Sequence, residues 1–311
     1  MKRKMLNVPK GGYDGMKGFT IVEFLVAGLL SIIVLIAVVS SYFTSRKLND
    51  AANERLAIQQ DLRNAATLIV RDARMAGSFG CFNMSEHTEK DVVFDVAQKN
   101  RPFSLEGSSA NKLIPIAESL NIGYQGFAQV RPALIFQYGI DDVNASAETT
   151  VVSSCGVISK PGKQIPTLED AKKELKIQNS GKEQNGNIAR QRHVVNAYAV
   201  GRIAGEEGLF RFQLDDKGKW GNPQLLVKKV KRMDVRYIYV SGCPEDAGKE
   251  EQFKYTDKFD KSRDAVTPAG VEVLLDSGLD AKIAASSDNS IYAYRINATI
   301  RGGNVCANRT L

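Results

Sequence analysis

The longest apolar segment of the chain covers residues 19–39, where Glu23 is the only charged side chain. A helix of this length spans about 31 Å, which matches the hydrocarbon thickness of a bilayer. Residues 1–18 carry five basic side chains against one acidic side chain, and this bias places the N-terminus on the cytoplasmic side. The pattern predicts one membrane-spanning helix, with the chain after Ser40 outside the cytoplasm.

Helical spacing continues beyond the predicted span, through residues 40–76. Arg71 and Arg74 fall in the last turns, where cations suit the helix dipole, and Gly77 is placed to cap the C-terminus. We therefore predict one helix over residues 19–76, a membrane half followed by an amphipathic half that packs on a globular domain. The apolar face consists of Leu48, Ala51, Ile58, Leu62, Ala65, Ile69, Ala73 and Ala76.

After the helix, apolar residues alternate with polar ones, as in strands that have one buried face. An amphipathic helix and a one-sided sheet each need an apolar partner, so we predict an α+β fold. In this fold the long helix packs on an antiparallel β-sheet head that occupies residues 77–311. The predicted strands are residues 133–139, 193–201, 208–214, 225–240, 271–275 and 290–302.

Three polar segments interrupt the alternation. Residues 215–222 are typical of a turn between two strands. Residues 160–192 contain one short predicted helix, with Thr167 as its N-cap and Asp170 three residues later. Residues 244–270 are rich in charge and poor in apolar side chains, so we expect a solvated loop or insertion there.

The formal net charge of +7 is unevenly distributed along the 311 residues. Residues 1–18 contribute +4, which leaves 7 − 4 = +3 for the remaining 293 residues. Proteins that bind nucleic acid usually show a dense basic patch, and none is evident here. We therefore expect no direct binding of nucleic acid.

The four cysteines, Cys81, Cys155, Cys243 and Cys306, are separated by 74, 88 and 63 residues. No two of them form a C-x-x-C pair, which excludes the usual zinc spacing. Widely spaced cysteines in even number fit two disulfides in an oxidising compartment, although free buried thiols are an alternative. Four cysteines allow three pairings, and of these we favour Cys81–Cys155 with Cys243–Cys306.

Recognised catalytic motifs are missing from the sequence. His193 begins a predicted strand and is typical of a structural imidazole, whereas His87 lies in a polar segment. Two pairs of adjacent aspartates, at positions 141–142 and 215–216, fall in turn-like contexts and are interpreted as solvated turns rather than calcium ligands. We expect no enzymatic activity, no cofactor and no bound metal.

Residues 17–30, KGFTIVEFLVAGLL, resemble the class III signal of type IV pilins. The resemblance lies in a basic leader that ends at Gly18, then Phe19, then Glu23 at the fifth position of the mature chain. Residues 68–81, LIVRDARMAGSFGC, are similar to the helix exit of minor (core) pilins of the PilW/PilJ type. Two further segments, SLNIGYQ and LIFQYGIDDVN, extend the similarity into the head.

This resemblance implies that a prepilin peptidase removes residues 1–18 by cutting between Gly18 and Phe19, and then methylates the Phe19 amine. It implies an inner-membrane protein with a periplasmic head, which later joins the pilus fibre at or near its tip. The implied partners are other minor pilins, the major pilin and the inner-membrane assembly platform. The implied role is to prime or promote pilus assembly, and so to support adhesion, twitching motility and DNA uptake.

The resemblance also suggests why Glu23 lies in an apolar segment. A carboxylate in hydrocarbon costs several kcal/mol unless a cation meets it. Cleavage creates such a cation at the Phe19 amine, so we expect the Glu23 charge to be badly satisfied in the lone chain and to pair with a neighbour in the fibre. The alternative is a charge that reaches the cytoplasmic interface. Many major pilins carry a proline a few turns into the mature helix, and this helix has none.

Three other functions are compatible with the sequence. A J-type minor pseudopilin of a type II secretion system shares the same plan, and gene neighbourhood or a deletion phenotype distinguishes the two. The second alternative is a membrane-anchored periplasmic enzyme, which would require a cleft that contains carboxylates with shifted pKa values. The third alternative is a tip adhesin or DNA receptor, whose head should bind its ligand in a salt-dependent way.

Overall fold

The computed structural model describes residues 18–93, 112–176, 187–242, 252–260, 266–276 and 294–303. The chain divides into two compact units, residues 1–57 and residues 58–311, and one long helix contributes to both. From here on, the head is this second unit, residues 58–311, so it includes the end of the long helix.

The long helix, α1, covers Ile21–Met75 and agrees closely with the prediction of one continuous helix. Its apolar stripe is buried from Ile58 onward, whereas Leu48 and Ala51, which we placed on the same face, are exposed. Gly77 ends the helix with φ +78°, a left-handed conformation that suits glycine. A Cβ at this position would lie 2.9 Å from the Cβ of Pro115. The buried stripe consists of Ile58, Leu62, Ala65, Ile69, Ala73 and Ala76.

The described part of the head contains fifteen strands, a second helix, α2 (Leu168–Glu174), and two 3₁₀ turns, Met84–Glu86 and Glu89–Asp91. The strands are β1 (Ser78–Phe79), β2 (Phe82–Asn83), β3 (Val92–Val93), β4 (Ile116–Ser119), β5 (Phe127–Gln129), β6 (Ala133–Ile140), β7 (Thr150–Ser153), β8 (Ile158–Ser159), β9 (Ala189–Ile203), β10 (Glu206–Leu214), β11 (Trp220–Lys228), β12 (Arg232–Gly242), β13 (Gln252–Thr256), β14 (Gly270–Asp276) and β15 (Tyr294–Thr299).

Among the described residues, the head contains a nine-stranded sheet, a four-stranded sheet and a small hairpin of β1 and β2. The main path of the larger sheet runs β11-β10-β9-β7-β8-β3, with β4, β5 and β6 joined through β6 and β9. The smaller sheet has the order β13-β12-β14-β15. The pairing is antiparallel, as expected, except between β3 and β8, which run parallel. The fold is therefore α+β, with two sheets where we predicted one.

Two predicted elements were wrong in detail. Residues 225–240 form two strands rather than one, because Lys229 adopts φ +62° and the chain passes there from the larger sheet to the smaller. Alternation alone did not reveal this break. Within the predicted loop 244–270, β13 pairs with β12 as an edge strand. Its polar composition suits an exposed edge, which explains why it resembled a loop.

Two local predictions are confirmed. The side chain of Thr167 accepts a hydrogen bond from the Asp170 amide at the start of α2. The turn between β10 and β11 covers residues 215–219, shorter than the predicted 215–222 because β11 begins at Trp220. It closes through a hydrogen bond from the Gly218 amide to the Asp215 carbonyl, with Gly218 at φ +70°. Both features depend only on residues that are close in sequence.

A single apolar core joins the helix stripe to both sheets. Tyr237 of β12 adds a polar link, since its hydroxyl donates a 2.6 Å hydrogen bond to Glu118 of β4. Burial of each large apolar side chain is worth about 1.5–3 kcal/mol, so this core is the main source of stability of the head. Its sheet residues include Leu134, Phe136, Tyr198, Val200, Val271, Val273 and Ile296.

Candidate functional site

The segment that resembles a pilin signal lies at the start of α1. Phe19 precedes the helix and is 85% exposed, and Gly18 has no neighbouring atoms that would meet a Cβ. Residues 1–17 lie outside the described residues, so Gly18 is the one residue of the predicted leader that the structure describes. The junction between Gly18 and Phe19 is therefore accessible in this structure.

Glu23 has a local partner in the lone chain, contrary to our expectation. The amide and the hydroxyl of Thr20 both donate 2.9 Å hydrogen bonds to Oε2 of Glu23. The Glu23 amide is 3.3 Å from the Thr20 hydroxyl, which completes a capping box. The Thr-x-x-Glu spacing at a helix start is the sequence signature of this arrangement, which we did not predict.

The predicted span, residues 19–39, is exposed along its whole length. Helix α1 is long and apolar enough to cross a membrane once, consistent with a single-pass anchor near the N-terminus. The hydroxyl of Ser31 donates a 2.7 Å hydrogen bond to the Ala27 carbonyl, so this polar group is satisfied within the helix. Such internal bonding is what a helix in hydrocarbon requires.

A second cluster of polar side chains lies inside the head and is centred on Asp72 of α1. The Asp72 side chain is fully buried. Its carboxylate accepts hydrogen bonds from the hydroxyls of Tyr138 at 2.9 Å and Tyr198 at 2.6 Å. The side-chain amide of Asn196 donates at 2.9 Å. The helix is thereby joined to β6 and β9 by charge-assisted hydrogen bonds, which are stronger than neutral ones.

Two guanidinium groups share the charge of Asp72. Arg71 reaches Oδ1 through its Nη2 at 3.0 Å, and Arg211 lies 3.6 Å from Oδ2. Desolvation, followed by the neighbouring Asp72 charge, raises the pKa of Tyr138 to about 12 and raises the pKa of Tyr198 as well. Both tyrosines therefore stay protonated and act as donors at neutral pH.

Asp72 lies within the segment that resembles a pilin helix exit, and its burial was not predicted from the sequence. The signal was its position, because Asp72 follows Ile69 by three residues and precedes Ala76 by four. That spacing places it on the apolar stripe. Its tyrosine partners are 66 and 126 residues away in sequence, and only the fold brings them together.

The cysteine pairing we favoured is confirmed in its first half. Cys81 and Cys155 form a disulfide that joins the β1–β2 hairpin to the turn between β7 and β8. Cys243 and Cys306 lie outside the described residues, so their pairing stays a prediction.

The remaining candidates for chemistry have structural partners. His193 is buried in β9, with Nε2 at 3.1 Å from Gln137 Oε1. Asp142 and Asp216, one from each aspartate pair, lie 3.5 and 3.9 Å from the Arg192 guanidinium. Within the described ranges, no group of three or more His, Cys, Asp or Glu side chains is placed to hold a metal ion.

Comparison with known proteins identifies no relative of this chain. No family model, no curated protein and no solved structure matches it.

Proposed function

We propose that this protein is a minor pilin that primes or promotes the assembly of type IV pili as part of a minor-pilin complex. The observation that carries the proposal is the placement of Gly18, Phe19 and Glu23 at the start of one long, exposed apolar helix. A β-rich head on the other part of that helix supports it. In this role the protein acts by contact with other subunits and catalyses no reaction of its own.

The capping box is compatible with a docking role for Glu23. Both hydrogen bonds from Thr20 end on Oε2, which leaves Oε1 to accept another donor. After a prepilin peptidase cuts behind Gly18, the Phe19 amine of a neighbouring subunit supplies that donor and a positive charge. Pairing the two charges offsets the cost of a carboxylate in an apolar environment. Glu23 thus sets the axial position of one subunit against the next.

Three variants separate docking from helix capping. Glu23→Gln keeps a side chain that completes the capping box but removes the charge. Thr20→Ala removes the cap and keeps the charge, and Glu23→Ala removes both functions of the glutamate. We expect Glu23→Gln and Glu23→Ala to impair recovery of the protein in sheared surface fibres, while Thr20→Ala is recovered normally. Amounts in the membrane fraction control for expression.

The opposite pattern would contradict the docking role. If Glu23→Gln enters fibres normally while Thr20→Ala does not, the carboxylate serves only the helix start. Mass spectrometry of the membrane-extracted protein tests processing independently. A methylated Phe19 at the N-terminus is expected, and a functional protein that retains residues 1–18 would overturn the proposal.

A further inference from the structure

A groove of 550 Å³ runs along α1 within the head. Its cationic residues are Arg63, Arg71 and Arg74, all of them exposed. From the first to the last of these, the helix rises by about 17 Å. The groove therefore presents three guanidinium groups along roughly three turns of one helix. The other lining residues are Ala66, Thr67, Val70, Met75 and Tyr294.

The charge of this groove is not balanced by the residues that line it. Among the described lining residues there is no acidic side chain. The nearby carboxylate of Asp72 is shared between Arg71 and Arg211, so one negative charge meets two positive ones. The Arg71 side chain is still 52% exposed and faces solvent with part of its charge uncompensated.

Arg71 is also held in place before any ligand arrives. Its Nε and Nη2 donate to Oδ1 of Asp72 at 3.2 and 3.0 Å, and the Asp72 carboxylate is itself fixed by Tyr138 and Tyr198. A guanidinium that is already ordered loses less side-chain entropy on binding. The remaining Nη1 of Arg71 is a donor for an incoming oxyanion.

The same groove offers apolar contacts between its charges. Ala66, Val70 and Met75 are half-buried, and Tyr294 of β15 adds an aromatic ring. Guanidinium groups bind carboxylates through paired hydrogen bonds, while an apolar floor takes up aliphatic side chains. A nucleic acid backbone would use the charges and leave this apolar floor without a partner.

We propose that this groove binds an acidic segment of another protein, in which carboxylates flank an apolar side chain. Arg63 and Arg74 bind carboxylates at the two ends, Arg71 binds one between them, and the apolar side chain lies against Val70. The inference rests on the charge and shape of the head and does not depend on the proposed role in pilus assembly.

The test uses the full-length protein in a nonionic detergent at low ionic strength. The probe is a fluorescein-labelled synthetic peptide in which several Glu residues surround one Leu, and binding is followed by fluorescence anisotropy. A second peptide carries Gln in place of each Glu. The test variant is Arg63→Gln with Arg74→Gln. The matched control is Arg202→Gln with Lys228→Gln, which removes the same charge from exposed positions on β9 and β11.

We expect the acidic peptide to bind the wild type and the control variant equally. The groove variant should bind it about tenfold more weakly, because two exposed charge pairs together contribute about 1.4 kcal/mol. The Gln peptide should not bind. Circular dichroism melts of both variants confirm that each is folded.

Several outcomes would overturn the proposal. Equal weakening in the control variant would mean that the attraction reflects net charge only. Equal binding of the Gln peptide would mean an apolar site without charge selection. Displacement of the peptide by an oligonucleotide at lower concentration would assign the groove to nucleic acid. A concentration-dependent dimer that the groove variant abolishes, with no peptide binding, would assign it to a second copy of this chain.

Discussion

The Tyr198 hydroxyl donates a 2.6 Å hydrogen bond to the buried carboxylate of Asp72, although the two residues lie 126 positions apart in sequence. This bond joins β9, which pairs with several strands of the larger sheet, to the last turns of α1. Because the Asp72 side chain is fully buried, its charge is stabilised only by the groups that surround it. This carboxylate therefore helps to fix the orientation of the helix on the sheet, together with the apolar core.

Replacement of Asp72 by alanine should destabilise the head by roughly 3–5 kcal/mol, because it leaves the donors of Tyr138, Tyr198 and Arg211 without their acceptor. Thermal unfolding of the full-length protein in detergent, followed by near-UV circular dichroism, measures the effect. Asp61→Ala is the matched control on the same helix and should change stability by no more than about 0.5 kcal/mol. Equal stability of Asp72→Ala and wild type would mean that the network is not needed for folding.

The head should lose stability in alkaline solution. Desolvation and the Asp72 charge raise the pKa of Tyr138 to about 12, and they raise the pKa of Tyr198 as well. An unfolded tyrosine loses its proton near pH 10, so this stabilisation is present below about pH 10 and is lost as the pH rises toward 12. Each tyrosine contributes a slope of about 1.4 kcal/mol per pH unit.

The variant Tyr138→Phe with Tyr198→Phe should show a shallower alkaline decrease in melting temperature than the wild type. Tyr255→Phe alters an exposed tyrosine and should leave the decrease unchanged. A decrease of the same slope in all three proteins would show that these buried hydroxyls do not control it.

Acid should destabilise the head through His193. Burial lowers the pKa of this imidazole to about 3, whereas an unfolded histidine titrates near 6.5. The stability it contributes is present above about pH 6.5 and is lost as the pH falls toward 3, by about 1.4 kcal/mol per pH unit. His193→Gln keeps a side-chain donor near Gln137 and should reduce the acid dependence of the melting temperature. A wild-type slope in His193→Gln would mean that this imidazole does not cause the acid dependence.

The Cys81–Cys155 disulfide closes a loop across 74 positions of sequence. Cys81→Ser with Cys155→Ser should lower the free energy of unfolding by about 4 kcal/mol in the chain-entropy model. Thermal melts of the wild type and the variant measure the loss. Peptide mapping without reduction tests the other pair, for which we expect a Cys243–Cys306 peptide. Any other link to these two cysteines would refute our pairing.

Predictions from sequence succeeded where the signal was local. Helix α1, the cap at Thr167 and the turn at Gly218 each depend on residues within a few positions of one another. The same reasoning could have identified the capping box of Thr20 and Glu23. It could also have flagged Asp72 as a charge on an apolar stripe, although it could not have named the partners of that charge.

The sequence by itself determined the long N-terminal helix, the longer strands and their apolar faces, and that this helix is long enough to cross a membrane. Periodicity carries this information because propensity and amphipathicity act over one or two turns or a few strand residues. The tertiary structure alone decided that the strands divide between two sheets, that β3 and β8 run parallel, and that two tyrosines meet Asp72. Those pairings join distant parts of the chain, and the complementarity of whole surfaces selects them after the local elements have formed.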